Sequence, residues 1–353
     1  MPADVAALPG LDLPAVTSWL NTQRPGLLAG PLTAELVAGG RSNLTYVLDD
    51  GSRRFVLRRP PLGHVLATAH DMSREHRMIS ALSGTRVPVP EPLALCEGDA
   101  VNGAPFYLMS HVDGRVLRNG GDLADLDGAA RETLARGMMT VLAELHAVDP
   151  AAVGLAGFGK PDGFMARQVR RWSAQLENSR SRDLPGIERL RDALAGSVPA
   201  PSQELGGGSG GGIVHGDYRL DNLIVAGPTE PDALAVRAVL DWEMATIGEP
   251  LSDVGLLLAY WDGLGSRPNA VTSSLGPQAG FPVGDVLVGW YAEQTGADLS
   301  TLPWYVAFGF FKIAVILEGI HYRYTKGQTV GADFDQIGSL VPELVALGLA
   351  ALD

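Results

Sequence analysis

The chain runs to 353 residues, 46% hydrophobic and 19% charged. At about 150 residues per domain that supplies two domains with a substantial core and excludes a disordered chain. Its 27 basic residues against 40 acidic ones leave a formal charge of -13, the wrong sign for tracking a nucleic-acid backbone. A single cysteine, Cys96, excludes an intrachain disulfide, and the opening residues lack the basic start of a secretory leader. The expectation is a cytoplasmic protein, monomer or homodimer, that binds neither nucleic acid nor membrane.

In chain order, Asp12 can cap a short helix to Gln23, with Pro14 in its first turn and Val16, Trp19 and Leu20 on one face. Three strand-like runs follow, Leu32 to Val37, Leu44 to Leu48 and Phe55 to Arg59. Gly39-Gly40 separates the first pair and Asp49-Asp50-Gly51-Ser52 the second, which predicts an antiparallel meander. A helix is expected from Thr68 to Leu82, then strands at Leu93 to Cys96 and Phe106 to His111. Five strands and one inserted helix make a small α+β lobe over residues 1–112, ending in a hinge.

From 113 to 353 the periodicity becomes helical, at Ala129 to Ala147, Phe164 to Ser179, Ile187 to Ala195, Ser252 to Trp261 and beyond. Within this second lobe, Asn222 to Val225 and Val236 to Leu240 predict a hairpin. The run Gly206 to Gly212 reads as a flexible surface insertion without chemistry. The apolar run Val306 to Ile320 carries Lys312 in its middle and Glu318 near its end; it falls short of a clean bilayer span and reads as a core helix.

Chemistry concentrates in His215-Gly216-Asp217-Tyr218-Arg219-Leu220-Asp221-Asn222 and in Val239-Leu240-Asp241-Trp242-Glu243. If the two strands pair antiparallel, Asn222 and Asp241 stand at one open end of the hairpin. Two hard oxygen ligands then suit Mg²⁺, with water and phosphate completing the shell. Asp217 lies five residues before Asn222, the spacing of a kinase catalytic loop. That combination fits phosphoryl transfer: an Asp to accept a hydroxyl proton, an Asn and an Asp to hold magnesium on nucleotide phosphates. His215 and Asp221 read as structural residues of the loop.

On the strand Phe55 to Arg59, alternation puts Val56 and Arg58 on one face. Met72, Glu75, Ile79 and Leu82 recur as one apolar stripe, so Glu75 is a buried carboxylate in need of a partner, and Arg58 is the candidate. Arg59 falls on the other face, and its loss is expected to be mild. The turn Gly39-Gly40-Arg41-Ser42-Asn43 suits a phosphate-covering loop, because successive backbone N–H groups there can face an anion.

The motif HGDxxxxN followed by LDWE resembles the aminoglycoside phosphotransferase family, whose kinase-like fold also serves choline and homoserine kinases. Gly40 to Tyr46, Gly154 to Gly163 and Arg167 to Trp172 are similar to one branch, the kinase-like domains found alone in actinobacteria or fused to acyl-CoA dehydrogenases. The resemblance implies a bilobed α+β protein-kinase-like fold and transfer of the γ-phosphoryl of ATP or GTP, with Mg²⁺, to a hydroxyl of a small molecule. It makes Asp217 the catalytic base, with Arg58 and Glu75 holding the phosphates. It adds Gly40, Ser42, Asn43, Val56, Ser110 and Val112 to Arg58 as nucleotide contacts, and Asn222 and Asp241 as metal ligands. Arg58 stands where the family places a lysine; the three lysines, Lys160, Lys312 and Lys326, all lie after residue 159. Asp253 matches an acid that braces the catalytic loop.

The acceptor is expected to be a hydroxy acid or hydroxyacyl compound, with an acyl-CoA dehydrogenase as partner. Glu318, His321, Arg323 and Lys326 would lie near its pocket. An aminoglycoside kinase, a silent nucleotide-binding regulatory module, and a metal hydrolase built on His215, Asp217 and Asp241 are the rival readings.

Overall fold

In the computed structural model, which describes residues 8–37, 43–62, 71–202, 205–206, 211–264, 275–328 and 336–353, the side chain of Asp12 accepts from the Ala15 N–H. That bond starts α1 (Leu13–Gln23). Val16 and Leu20 are its buried residues, and they join a core with Tyr46, Leu48, Phe55, Leu57, Phe106 and Leu108. Those residues come from a five-stranded sheet of β1 (Thr33–Leu36), β2 (Leu44–Asp49), β3 (Arg54–Arg59), β4 (Pro92–Cys96) and β5 (Phe106–Ser110). The strand order is β1-β2-β3-β5-β4, with every neighbouring pair antiparallel. The β3–β5 register sets Arg58 opposite Tyr107, which fixes the face on which Arg58 emerges.

Helix α2 (Met72–Leu82) starts where the Asp71 carboxylate accepts from the Ser73 and Arg74 N–H groups. Residues 68–70, expected to be helical, lie outside the described residues, as does the turn 38–42. The buried stripe of α2 is Met72, Glu75, Met78, Ile79 and Leu82. One compact unit comprises Met1–Asp113 together with Ala238–Glu243; the other comprises Gly114–Arg237 and Met244–Asp353. The short segment 238–243 is a departure from the linear division into 1–112 and 113–353. It is tied to its unit by the Val239 N–H, which donates to Pro88 O at 2.8 Å.

The second unit is helical: α3 (Gly128–Ala147), α4 (Phe164–Ser179), α5 (Ile187–Gly196), α6 (Leu251–Leu258), α7 (Gly284–Thr295), α8 (Leu302–Thr325) and α9 (Ile337–Ala350). Three short strands and the start of a fourth interrupt the helices. They are β6 (Gly212–Val214) paired with β9 (Thr246–Gly248), and β7 (Leu223–Val225) paired with β8 (Val236–Val239). Asn222 closes a short 3₁₀ turn just before β7.

Two expectations change here. Helix α8 is long and apolar enough by composition to cross a membrane, because it extends beyond the run 306–320 on both sides, yet most of its apolar stretch is buried among its neighbours. Gly255 of α6 lets the two helices meet: a Cβ there would stand 2.4 Å from the backbone carbon of Tyr305. The end of the glycine run is likewise packed rather than a surface insertion. Gly211 and Gly212 are buried, and a Cβ on Gly212 would meet Pro250 at 2.5 Å.

Candidate active site

In the first unit the side chains converge on Glu75. Tyr107 Oη donates to its Oε2 at 2.9 Å, Asn43 Nδ2 donates to its Oε1 at 3.0 Å, and Arg58 Nε lies 3.5 Å from Oε2. Glu75 is almost wholly buried and Arg58 nearly so, with side chains 1% and 10% exposed. Such a pair persists only because both charges are met by partners. Burial works against the Arg58 charge, but Tyr107, Glu75 and Asp241 more than offset it and hold the guanidinium above its usual range. Burial pushes the Glu75 carboxyl up, against the pull of Arg58.

The other end of the Arg58 fork reaches Asp241, whose Oδ1 accepts from Nη2 at 3.1 Å. Asp241 sits in the left-handed backbone region at φ 63°, strain that a non-glycine residue bears only when its surroundings dictate it. Those surroundings include the Trp242 indole, which donates to Val239 O at 3.0 Å. Asn43 Nδ2 also donates to Glu243, at 3.3 Å. Asn43, Arg58, Glu75 and Asp241 thus form one network.

Other expected nucleotide contacts are placed less favourably. Gly40 and Ser42 lie outside the described residues. Val56 lies on β3 between Val47 and Met109. Ser110 spends its N–H on Glu91 O and accepts the Glu91 N–H at its hydroxyl, and the His111 N–H donates to Arg54 O. Among the described residues at that corner, Val112 is left to offer its backbone N–H. Ser110 and His111 also line a cavity of about 480 Å³ with Arg53, Arg54, Glu91 and Asp113.

Arg59 corrects the expectation of a mild site. Its guanidinium is buried, donating from Nη1 to Asn102 O at 3.0 Å and to Gly10 O, and from Nε to Pro60 O.

The second unit carries the loop 215–222. The buried Asp253 carboxylate accepts from the N–H groups of His215 at 2.6 Å and Gly216 at 2.7 Å, and its Oδ2 lies 3.3 Å from His146 Nε2. Burial alone would raise its pKa; the His146 partner, the nearby His215 and the Gly216 N–H together pull it below the usual carboxylate range. Tyr218 Oη donates to Met138 O from below the loop. His215 accepts the Asp217 N–H at Nδ1, a structural bond.

Asp217 emerges from this braced loop in a fork. Arg219 Nε lies 2.9 Å from Oδ1 and Nη2 donates to Oδ2 at 3.2 Å. The same Nη2 is 3.2 Å from Asp221, and the guanidinium stacks 4.7 Å over the Tyr260 ring. Asn222 Nδ2 donates to Asp217 O at 2.8 Å and to Oδ2 at 3.1 Å. This fixes the amide and leaves the Asn222 carbonyl oxygen as its donor toward a cation. An amide oxygen is a hard donor of the kind magnesium prefers. No group of three or more His, Cys, Asp or Glu placed to hold a metal occurs among the described residues.

Arg219 and Lys312 take roles that sequence reasoning does not assign to them. Arg219 had a local signal, a basic residue between two acids, Asp217 and Asp221. Lys312 had a subtler one, a lone cation inside an apolar run. Its Nζ donates to Gly216 O at 3.0 Å and lies 5.5 Å from the Trp172 ring centroid. Glu318 corrects the acceptor expectation: it is wholly buried and accepts from Ser181 Oγ at 3.0 Å and from Arg182 Nε and Nη2 at 3.1 and 2.9 Å, so it anchors the chain after α4.

Residues 33–272 match the family described as the phosphotransferase enzyme family, APH. Acyl-CoA dehydrogenase family member 11 of Homo sapiens is 31% identical over 353 residues, covering 98% of this chain and 44% of that protein. The chain spans less than half the length of the curated relatives it matches first. A crystal structure from Ralstonia eutropha JMP134, described as an aminoglycoside phosphotransferase, matches with a TM-score of 0.81 at 34% identity, over 97% of this chain and 98% of the other. A thermostable aminoglycoside phosphotransferase APH(4)-Ia in ternary complex with AMP-PNP and hygromycin B shares the fold alone, at a TM-score of 0.59 and 16% identity over 95% and 98% of the two chains.

Proposed function

Because the chain belongs to the phosphotransferase enzyme family and has its kinase-like α+β fold, we propose that this small-molecule kinase moves the γ-phosphoryl group of ATP or GTP to the hydroxyl of a hydroxy acid or hydroxyacyl compound. The observation that carries the reaction is the Asp217 carboxylate, aimed by Arg219 and Asn222 from a loop pinned by Asp253. The nucleotide is supported by the AMP-PNP bound to a fold relative. The acceptor class is supported by the acyl-CoA dehydrogenase named in the longer relatives, and an enzyme of that kind is the proposed working partner.

Asp217 orients the acceptor hydroxyl and takes its proton as the oxygen bonds to the γ-phosphorus; the bond to the β,γ-bridging oxygen breaks and the nucleoside diphosphate departs. Phosphoryl transfer passes through a loose transition state, so positioning contributes more than basicity. A carboxylate held by an arginine fork suits that demand. Arg58, kept charged by Glu75, binds phosphate oxygens in place of the usual lysine, and its planar fork can meet two of them at once. Asp241 and the Asn222 carbonyl oxygen are the ligands assigned to Mg²⁺, which when bound supplies positive charge on the nucleotide phosphates.

The test is the mass of phosphorylated product from hydroxy acids incubated with enzyme, Mg²⁺ and ATP or GTP. Transfer is expected in the wild type and nearly absent in Asp217→Asn, with nucleotide affinity within a few-fold. Undiminished transfer by Asp217→Asn would remove the assignment of the base, and turnover of aminoglycosides alone would remove the acceptor class.

A further inference from the structure

Lys312 is a cation on an apolar stretch of α8, a place that ordinarily holds none. It lies on α8 among Phe308, Phe311, Ile313 and Val315, all buried, and is itself half-buried. Among the described residues it forms no ion pair; its one hydrogen bond goes to Gly216 O, the carbonyl that immediately precedes Asp217. The two carboxylates whose charge reaches it are already engaged elsewhere: Asp253 by His146, His215 and Gly216, Asp217 by Arg219 and Asn222.

Beside it, the Trp172 ring supports the ammonium through its π face, while the indole Nε1, also buried, has no hydrogen-bond partner among the described residues. Buried donors of this kind are rarely left unmet. Arg171 and Arg219 add positive charge around the same point. Burial depresses the Lys312 pKa, and the carboxylates of Asp217 and Asp253 oppose that shift.

We propose that Lys312, with Trp172 Nε1, forms a subsite for an anionic oxygen group of the acceptor, a carboxylate or a phosphate, next to the hydroxyl that Asp217 orients. The inference rests on the phosphotransferase reading of the Asp217 loop. An ammonium has three protons. One anchors Gly216 O, and the others remain for the ligand. Lys312 would therefore select acceptors that carry negative charge a short distance from their hydroxyl, and a neutral analogue would leave the ammonium and the indole N–H unmet.

The test is calorimetric titration of the intact protein, loaded with Mg²⁺ and AMP-PNP, with 2-, 3- and 4-hydroxybutyrate, their amides, and glycerol 3-phosphate. The wild type is expected to bind at least one of these anions tenfold or more tightly than the neutral amides; the carboxylate and phosphate arms identify which anion is preferred. In Lys312→Met that preference disappears while amide affinity stays within about threefold, and Lys312→Arg restores part of it. Should Lys312→Met fold poorly, Trp172→Phe keeps an aromatic face but removes the indole N–H, and is expected to reduce anion preference while the protein still unfolds cooperatively. No anion preference in the wild type, or equal weakening of anion and amide in the variants that fold, would overturn the proposal. Product mass is followed in parallel. Transfer to acid and amide alike refutes the subsite and leaves the kinase reading standing, whereas Lys312-dependent anion binding without transfer does the reverse.

Discussion

Replacing Arg219 by methionine keeps an unbranched apolar stem and deletes the guanidinium fork that holds Asp217 and Asp221 and stacks on Tyr260. The ion pair with Asp217 is partly buried, its side chains 15% and 28% exposed. Breaking a fully buried pair costs about 3–5 kcal/mol and an exposed one about 0–1, so a loss of about 2 kcal/mol is expected from this geometry. The effect on rate should be larger than the effect on stability implies. Without the fork, the Asp217 carboxylate keeps, among the described residues, only the Asn222 bond at Oδ2 and is free to rotate, and misplacing a reacting group by about 1 Å costs on the order of 100-fold. Steady-state kinetics should show kcat down by about two orders of magnitude with the nucleotide KM little changed. Because Arg219 acts through Asp217, the variant Arg219→Met combined with Asp217→Asn should be no slower than Asp217→Asn alone. Urea unfolding gives the stability term and product-mass kinetics the rate term. If the two substitutions multiplied independently, or if Arg219→Met left kcat intact, the positioning role would be wrong.

Asp253→Asn puts an amide against two backbone N–H donors and should cost about 2–4 kcal/mol in denaturant unfolding. Because the folded Asp253 pKa is depressed, its contribution is fully present above the unfolded value of about 4 and is lost as pH falls through the folded value. The gap between wild type and Asp253→Asn, measured from pH 7 down to 3, should therefore narrow at the acid end. Arg58→Ala leaves Glu75 as a buried charge without its cationic partner and should cost about 3–5 kcal/mol; adding Glu75→Gln should recover part of that in thermal unfolding without restoring nucleotide affinity in a titration. Arg59→Ala gives up hydrogen bonds to three carbonyls, for about 2–3 kcal/mol in the same melts with nucleotide binding unaffected.

Local signals made much of this molecule legible before its structure. The five strands and α2 are written in alternation, turn glycines and one apolar helical stripe, although the Asp71 cap that starts α2 went unread, and Glu75 betrayed its partner because a carboxylate on an apolar stripe demands one. The bracing of the 215–216 N–H groups by Asp253 was available through the family motif. Residues whose meaning depends on distant chain were not legible. Arg59 is buried by carbonyls at positions 10 and 102, which no periodicity around residue 59 announces. Lys312 meets Gly216 across nearly a hundred residues, and Glu318 meets Arg182 across more. In each case alternation or helical spacing gives the face of the element but not what the chain lays against it.

The six residues 238–243 bear on how the protein is made. They belong with the first 113 residues, supplying the Val239 N–H to Pro88, the Glu243 carboxylate to Asn43 and the Asp241 carboxylate to Arg58. A nascent chain emerging from the ribosome cannot complete its first unit when residue 113 appears. It must wait until residue 243 has been synthesised, by which point residues 114–237 of the second unit have already appeared. Until then the Asp241 carboxylate is not available to Arg58. A chain truncated near residue 113 would lack all three of these contacts.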